Sequence, residues 1–363
     1  MILFLVIVLV LVAAFGLFLQ QPQFGRYPSG RRLKKIQASP HYRQGQFQNL
    51  SPTPSFTEGA TLGKVLKAVF LDKSKRAVPA ESLPFQKTDL LRLDPNRDVL
   101  VWFGHSSYFL QLSGKRFLVD PVFSGHASPL AFTTRSFKGT NVYSVNDLPF
   151  IDCLFITHDH YDHLDHATLV QLKPKVAKVI TGLGVGAHLE RWGYNPADII
   201  EKDWNETEVL EKGFVVHTAP SRHFSGRGFK RNRSLWLSFV LHTPVRKVFL
   251  GGDSGYDAHF KVIGNAYGPF DLAILENGQY NKYWKHIHMM PEEVVQAALD
   301  LRARTLLPVH WSKFSLSTHA WDEPIIRLMA EAANKGVAVL HPMIGEALFL
   351  DHPAPPTAWW VGR

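Results

Sequence analysis

The stretch of sequence that decides the fold runs from residue 157 to residue 165 and reads Thr157-His158-Asp159-His160-Tyr161-Asp162-His163-Leu164-Asp165. Its first residue closes an apolar run at 151–157, which predicts a buried strand. In an extended chain His158 and His160 point to the same side, and a turn can bring Asp162 and His163 to the same centre. Imidazole nitrogens and carboxylate oxygens are ligands of zinc and similar metals. The stretch therefore predicts a metal site, with a solvated polar loop as the alternative.

Further ligands must come from distant parts of the chain, because one metal ion takes three or four ligands and two ions take more. Three candidates each come just after a run that predicts a strand: His223, Asp253 and His310. A Gly-Gly pair precedes Asp253 and would let the backbone approach a metal closely. A single histidine after a strand is compatible with an ordinary surface or packed residue. The prediction for these three residues rests on their occurring together with the 157–165 stretch.

The composition is that of a folded protein with a histidine-based site. Of the 363 residues, 45% are hydrophobic and 20% are charged, which excludes disorder over most of the chain. The chain has 18 histidines but one cysteine, Cys153, so a disulfide within the chain and a site of several thiolates are excluded, and we predict that Cys153 packs in the core. The net charge is +9, but residues 1–50 hold six of the basic side chains and no acidic one, which leaves +3 for the rest. This balance argues against a protein that coats nucleic acid.

Residues 2–19 form an uncharged apolar run of 18 residues. A helix of about 20 such residues crosses the hydrocarbon core of a bilayer, whereas the apolar core of a cleaved signal peptide is about 7–15 residues long. No basic residue precedes the run, and no convincing small-x-small cleavage site follows it. We therefore predict an uncleaved membrane anchor, with a cleaved signal as the alternative. Because the basic residues follow the run, the main domain is predicted in the cytoplasm, and export to the cell envelope is the alternative.

The rest of the chain divides into an arm and one large domain. Residues 20–60 lack helical or strand periodicity, which predicts a linker or an extended arm laid over the domain. Within residues 61–363 the predicted strands are at 99–103, 108–112, 116–120, 151–157, 214–219, 235–241, 247–251, 271–275 and 305–309. The predicted helices are at 164–172, 185–192, 256–262, 291–301 and 323–333. This order predicts sheet packed on sheet, covered by helices.

Taken together, these motifs resemble the metallo-β-lactamase fold family, in the branch that contains N-acylphosphatidylethanolamine-hydrolysing phospholipase D and its bacterial relatives. The resemblance covers about residues 99–350 and rests on Trp102-Phe103-Gly104-His105-Ser106-Ser107, Leu118-Val119-Asp120-Pro121-Val122-Phe123, the His-x-His-x-Asp-His cluster, Gly252-Asp253-Ser254-Gly255-Tyr256, His288-Met289-Met290-Pro291-Glu292-Glu293 and His310-Trp311. It implies an α+β fold, a four-layer αβ/βα sandwich with the metals at one sheet edge. The predicted N-terminal transmembrane helix is added to this fold.

The resemblance also implies which residues hold two zinc ions. His158, His160, His223 and Asp253 would hold one ion, and Asp162, His163, Asp253 and His310 would hold the other, with Asp253 as the bridge. Two zinc ions that share a water lower its pKa toward neutrality, provide a hydroxide nucleophile and polarise a phosphodiester oxygen. A serine or cysteine nucleophile is then not needed, which agrees with the lack of a Gly-x-Ser-x-Gly motif. The predicted catalytic residues are Asp162, Asp253 and His288.

Two histidines outside this ligand set resemble family positions near the site. His288 resembles a histidine that faces the metals, where it would contact a phosphate oxygen or protonate a leaving group, and a surface histidine is the alternative. His105 and Asp120 resemble positions that either touch the substrate or support the ligands. We include His105 among the residues predicted to bind substrate.

A basic run beside His223 supplies the other predicted substrate contacts. Arg222, Arg227 and Arg231 lie in it, and no acidic residue occurs between 222 and 233. Such a run favours an anionic substrate, for example a phospholipid headgroup. A solvated charged loop is the alternative. Family members often carry an amide where this chain has Arg222, so the resemblance leaves the headgroup open.

The sequence thus predicts a membrane-anchored dinuclear zinc hydrolase, a phospholipase D-type phosphodiesterase acting on N-acyl phosphatidylethanolamine-like lipids. Its predicted partners are a phospholipid or another anionic phosphodiester and the membrane, without nucleic acid. One alternative is the same fold acting on a lactone or a nucleotide phosphodiester. The other is a catalytically idle binding protein of the envelope, against which an intact set of seven ligands argues. The oligomeric state, a homodimer included, is left open.

Overall fold

The structure is a computed structural model that describes residues 1–353 and 357–362. In chain order its helices are α1 (Ile2–Leu19), α2 (Gly30–Gln37), α3 (Leu62–Phe70), α4 (His166–Leu172), α5 (Gly186–Arg191), α6 (His259–Tyr267), α7 (Pro291–Asp300) and α8 (Glu323–Lys335). The strands are β1 (Tyr42–Arg43), β2 (Gln46–Phe47), β3 (Val99–Trp102), β4 (Tyr108–Leu112), β5 (Lys115–Val119), β6 (Ile151–Ile156), β7 (Val176–Gly182), β8 (Ile199–Lys202), β9 (Thr207–Glu211), β10 (Phe214–Pro220), β11 (Leu237–His242), β12 (Lys247–Leu250), β13 (Leu272–Glu276), β14 (Thr305–Val309), β15 (Ala338–Val339) and β16 (Ala347–Phe349).

Two seven-stranded sheets with the same internal pattern form the centre of the molecule. The first has the order β16-β3-β4-β5-β6-β7-β8, and the second has the order β15-β14-β13-β12-β11-β10-β9. In the first sheet the pairs are antiparallel up to β5 and parallel from β5 to β8. In the second they are antiparallel from β9 to β12 and parallel from β12 to β15. The parallel halves matter for the site, because the carboxyl ends of their strands lie at one sheet edge.

The side chains of β6 show how the layers are held together. Cys153 and Phe155 belong to the core that includes residues of the second sheet, and the ring of Phe155 lies 4.8 Å from that of Phe239 on β11. The alternate residues Leu154 and Ile156 face the other way and pack with residues of the helical layer. Because both faces of β6 are buried, its sequence is apolar throughout, as parallel strands covered by helices require. The predicted four-layer α+β sandwich and the core position of Cys153 are confirmed.

Local sequence explains where the helices near the site begin. Asp165 caps α4, since its carboxylate accepts the amide proton of Ala167 at 3.2 Å. Pro291 opens α7 and two carboxylates follow it in the first turn, at the positive end of the helix dipole. Both helices therefore start immediately after segments that line the site. The five predicted helices are present, with bounds shifted by up to five residues at one end.

The first 60 residues contain more regular structure than their sequence predicts. Helix α1 is apolar, with a mean hydropathy of 3.3 and none of it buried, so by length and composition it could cross a membrane, as could a signal sequence. The segment at 20–60 contains α2 and the β1–β2 hairpin. Its side chains Ile36 and Phe47 are fully buried. Arg32 forms ion pairs with Glu190 and Glu201 of the first sheet's side of the domain. These contacts describe an arm packed on the domain.

Candidate metal centre

Seven predicted ligands meet at one edge of the two sheets. His158, His160, Asp162 and His163 follow β6, and the other three follow β10, β12 and β14. The loop after β12 can approach the first sheet because Gly252 lies against Thr157, where an added Cβ would come within 2.9 Å of the threonine side chain. Glycine is required at this position for steric reasons. Strands that end together thus bring residues about 150 positions apart in sequence to one place.

Three histidines form the first half of the cluster. The Nε2 atom of His158 lies 2.9 Å from Nδ1 of His160, and Nε2 of His223 lies 3.2 Å from the same Nδ1 atom. Asp253 lies beside them, with Oδ2 at 3.9 Å from the His158 nitrogen and 3.7 Å from the His223 nitrogen. Three ring nitrogens and a carboxylate oxygen that face a common point have the arrangement of ligands around a metal ion.

The second half of the cluster surrounds Asp253 from the other side. Its Oδ2 atom lies 3.2 Å from Nε2 of His163, and its Oδ1 atom lies 3.2 Å from Nδ1 of His310. Asp162 stands 3.5 Å from the same His163 nitrogen. The carboxylate of Asp253 therefore faces both halves, which is the position that a bridging ligand would occupy. The structure brings all seven predicted ligands together, and groups of these side chains have ligand atoms within 4.8 Å of one another.

The electrostatics of the cluster suit a cation. Burial lowers the pKa of His158, His223 and His310 well below the ordinary value, so these rings are neutral. Burial alone would raise the pKa of Asp253, but the neighbouring His163 and His310 outweigh it, and the pKa lies well below the ordinary value. Neutral imidazoles and ionised carboxylates are the protonation states that metals require.

Unpartnered polar atoms provide the test of whether a metal fits. Within residues 1–353 and 357–362, three buried atoms of the cluster and one of the neighbouring His288 have no partner with hydrogen-bond geometry: His163 Nε2, Asp253 Oδ1, His310 Nε2 and His288 Nδ1. Burial would lower the pKa of His163, but Asp253 and Asp162 raise it well above the ordinary value, so the ring takes up a proton that offsets their charge. A divalent cation would supply the same balance and would satisfy the buried atoms. The residues present therefore fit a metal.

Residues behind the ligands hold the rings in place. Asp120 accepts from Nδ1 of His163 at 2.7 Å, and the amide and hydroxyl of Thr157 donate to the Asp120 carboxylate. Nδ1 of His223 donates to the carbonyl of Ile287 at 2.8 Å. Such outer contacts fix the tautomer of a ligating imidazole so that the other nitrogen faces the metal. Asp120 supports a ligand and does not reach the substrate side.

Asn49 and Glu276 support the site from positions that the sequence analysis did not single out. The side-chain amide of Asn49 donates to the His223 carbonyl at 2.7 Å, and its oxygen accepts the His223 amide proton at 3.1 Å. Glu276 ends β13 and accepts the Met289 amide proton at 2.6 Å. Its carboxylate lies 3.6 Å from Nδ1 of His288, and burial raises its pKa to about 7.

The predicted substrate contacts fall into two groups. His288 and Arg231 line a cavity of about 760 Å³ above the cluster. His105 does not, because its side chain is fully buried, hydrogen-bonds Asp162 at 2.8 Å and stacks near His310. The prediction that His105 contacts substrate is corrected to a supporting position behind Asp162. Its ring can also join the ligand group around His163.

Two arginines of the basic run point away from the cavity, which differs from their prediction. Arg227 is 4% exposed, and its guanidinium donates to the carbonyls of Gln23, Asp159 and Leu164. Arg222 donates to the Pro52 carbonyl and to the Thr53 hydroxyl of the arm, and it does not line the cavity. Arg227 thus supplies the donors that buried carbonyls need, whereas Arg222 connects the arm to the domain.

The wall of the cavity comes from both the domain and the arm. Arm residues Gln46, Asn49, Thr53, Ser55 and Phe56 contribute to it, together with Phe224, Trp284, Ile287 and Leu316 of the domain. The floor is formed by ligands of the cluster, including Asp162, Asp253 and His310. A substrate in this cavity would therefore meet metal ligands below and both apolar and polar walls around it.

Comparison with known proteins agrees with this geometry. A family model described as "Beta-lactamase superfamily domain" matches residues 115–311, more than half of the chain. An uncharacterised protein of Mycobacterium tuberculosis strain H37Rv is 39% identical over 326 residues, which are 89% of this chain and 87% of that protein. N-acyl-phosphatidylethanolamine-hydrolyzing phospholipase D 1 of Caenorhabditis elegans is 33% identical over 236 residues, 60% of this chain and 64% of that enzyme.

A solved structure supports the fold. Igni18, a metallo hydrolase from the archaeon Ignicoccus hospitalis, aligns with a TM-score of 0.53 and 20% sequence identity. The alignment covers 69% of this chain and 97% of that chain.

Proposed function

The chain belongs to the beta-lactamase superfamily of metal-dependent hydrolases, and on this premise we propose that it is a two-metal phosphodiesterase of phospholipase D type. The observation that carries the proposal is the convergence of seven ligand side chains, five of which line a cavity that has an arginine in its wall. The resemblance in sequence to a worm enzyme named for hydrolysing N-acyl-phosphatidylethanolamine supports a phospholipid as the substrate.

The proposed ligand sets follow the two halves of the cluster. His158, His160 and His223 would hold one ion, Asp162, His163 and His310 would hold the other, and Asp253 would bind both. The metals, for which we propose zinc, would supply a Lewis acid that activates water and polarises the phosphodiester. Asp120 and Thr157 keep the His163 ring in the tautomer that leaves its Nε2 atom free.

His288 is the proposed proton donor to the leaving group. Its side chain lines the cavity, and its Nδ1 atom lies 4.0 Å from Asp253 and 3.6 Å from Glu276. Burial opposes protonation of the ring, but Glu276 and Asp253 outweigh it and raise the pKa of His288 above the ordinary value. A protonated imidazole beside the cluster can deliver its proton to an alkoxide that leaves a phosphodiester.

Arg231 is the proposed contact for the phosphate or for a neighbouring anionic group. Its guanidinium lies over the ring of Phe224 at 4.8 Å, which holds the side chain at the cavity wall. A planar guanidinium can donate two parallel hydrogen bonds to a phosphate.

We further propose that α1 anchors the enzyme in the membrane, with residues 61–363 as one catalytic domain on the cytoplasmic side. The apolar helix and the basic residues that follow it support this orientation. An anchor keeps the cavity close to a lipid substrate, which dissolves poorly in water. Recovery of the mature chain in the membrane after carbonate extraction would support the anchor. A mature N-terminus beyond residue 19 would overturn it.

The test of substrate class is a direct assay of the purified full chain. The protein is incubated in mixed micelles with a lipid panel that includes N-acyl phosphatidylethanolamine, phosphatidylcholine and a lactone, and separately with bis-p-nitrophenyl phosphate. We expect cleavage of the two phosphodiester classes, release of phosphatidic acid from the lipids and loss of turnover in Asp253→Asn. Turnover of the lactone alone, or none by a metal-loaded protein, would refute the phosphodiesterase.

A further inference from the structure

Helix α3 presents a row of apolar side chains to solvent. Ala68 is buried and Val65 half-buried against the domain, whereas Leu62, Leu66 and Phe70 are 61%, 46% and 75% exposed. These three are spaced four residues apart, so they lie along one side of the helix. Exposed apolar residues normally occur singly, and a contiguous row of them marks a surface that binds something.

The charges beside this row complement an anionic lipid surface. Residues 61–80 contain five basic side chains and one acidic side chain. Lys64 and Lys67 lie on α3, Lys73 and Lys75 follow it, and all four are exposed. Helices that lie in the plane of a membrane surface typically have one apolar face and one polar face that is rich in lysine.

Helix α3 is tied to the rim of the metal-site cavity at both ends. Before the helix, the Thr57 amide donates to the Tyr283 carbonyl at 2.8 Å. After it, the Ser74 amide donates to the Thr318 carbonyl at 2.8 Å. The two accepting loops also supply cavity walls, through residues within two positions of these acceptors. The segment that carries α3 is therefore held on both sides by loops that contribute to the cavity wall.

The cavity rim is itself partly apolar and connects to α1. Phe56 and Leu316 line the cavity and are 36% and 41% exposed. Phe229 is 79% exposed, and its ring lies 6.2 Å from that of Phe15 on α1. Two residues beyond Phe229, Arg231 lines the cavity. Exposed apolar surface thus occurs at α1, at the rim of the cavity and at α3.

We propose that α3 lies in the surface of the bilayer that α1 enters, with its row of apolar side chains among the lipids. Two membrane contacts would then orient the cavity toward the lipid surface, whereas one flexible anchor would not. A second copy of the chain would cover the apolar row without using the lysines or the continuity with α1, so a bilayer explains more of the surface. The inference rests on the proposed anchoring by α1 but not on which bond the site cleaves, and flotation of the labelled protein with the vesicles reports the anchor separately from the position of α3.

The experiment places an environment-sensitive probe on α3 in the full chain. The one native cysteine, Cys153, is buried, so Leu66→Cys provides a single accessible thiol for a nitrobenzoxadiazole label. Lys64→Cys is the matched control, because residue 64 lies on the same helix outside the apolar row. Both labelled proteins are reconstituted into vesicles of phosphatidylcholine with phosphatidylglycerol, and Phe70→Cys repeats the measurement at a second exposed apolar position.

We expect the probes at residues 66 and 70 to shift their emission to the blue in vesicles and to be quenched by lipids that carry a nitroxide on the acyl chain. The probe at residue 64 should keep a water-like emission. Water-like emission from all three probes would overturn the proposal. A blue shift that nitroxide lipids do not quench and that grows with protein density would assign the face to a second copy of the chain, and this too would overturn it.

Discussion

The metal loop at 157–165 and the basic loop at 222–233 both contain a dense run of polar side chains, yet the structure treats them differently. All four predicted ligands of the metal loop face one cluster. Of the three arginines predicted to bind substrate from the basic loop, Arg231 lines the cavity, whereas Arg222 and Arg227 bind backbone carbonyls. Ligand side chains must lie close together, because all of them bind the same metal ions. The side chains of a basic loop share no such partner, so each can bind a different group.

Asp253→Asn tests whether the residues around the metal loop bind metal, and we expect it to have a greater effect than any other substitution considered below. Asp253→Asn replaces the carboxylate that faces both halves of the cluster, so both metals would lose a ligand. Even residues behind the ligands cost about 10–100-fold in metal affinity or activity when replaced, so we expect a loss of at least about 100-fold. Turnover of bis-p-nitrophenyl phosphate and bound metal are measured together. Near-native turnover would show that Asp253 is not a bridging ligand.

Arg227→Ala tests the structural side of the basic loop. The substitution leaves buried carbonyls of Asp159 and Leu164 without a donor, and we expect the free energy of unfolding to fall by about 3 kcal/mol. Chemical denaturation followed by tryptophan fluorescence measures the change. Lys230→Ala is the control, because that exposed side chain belongs to the same run. Equal stability of the two variants would contradict the buried role.

Asn49→Ala asks whether the arm supports a ligand of the cluster. The variant removes two hydrogen bonds to the backbone of His223, and we expect weaker retention of metal by about 10-fold, as for other outer contacts. Metal loss is followed by titration with a chelator. Gln48→Ala provides the control, since that half-buried side chain donates its hydrogen bond to the Arg43 carbonyl of the arm and, within the described ranges 1–353 and 357–362, to no group of the domain. The same chelator sensitivity in both variants would show that Asn49 of the arm does not support metal binding.

The smallest expected effect belongs to Arg231→Ala. We expect KM for an anionic lipid to rise several-fold with little change in kcat, because the residue would bind charge away from the reacting atoms. Salt should narrow the difference from the native protein, since exposed charges are screened over about 8–10 Å at 0.1–0.15 M. Stability and metal content should stay native. A fall in kcat with an unchanged KM would place Arg231 in the chemistry instead.

The sequence predicts those site residues that belong to a short motif or directly follow a predicted strand. His158 to His163 form a motif, and the remaining ligands follow predicted strands that do end at the same edge. Glu276 carries the same signal, a carboxylate at the end of the predicted strand at 271–275, and could have been found with it. Asn49 gives no such signal, because its role depends on the path of the arm across the domain.

The fold is less completely predicted at its sheet edges and in the arm. Strands β8 and β9 are short edge strands, and β9 alternates exposed Thr207, Val209 and Glu211 with half-buried Glu208 and Leu210, so neither has the apolar run of a buried strand. Strand β7 does have β-branched residues but follows a helix closely, and the prediction omits it. Helix α2 has an apolar side of two residues, Leu33 and Ile36, and Arg32 and Lys35 hydrogen-bond Glu201 of the domain.

The two-metal centre is tested by measuring the metal content of the purified full chain and of three ligand variants, by mass spectrometry of the bound metals. We expect two zinc ions per chain in the native protein, about one in His158→Ala and in His310→Ala, and close to none in Asp253→Asn. A native protein that holds two ions while all three variants keep them would contradict the assigned ligands. A folded native protein that takes up no more than one ion from excess zinc would contradict the two-metal centre.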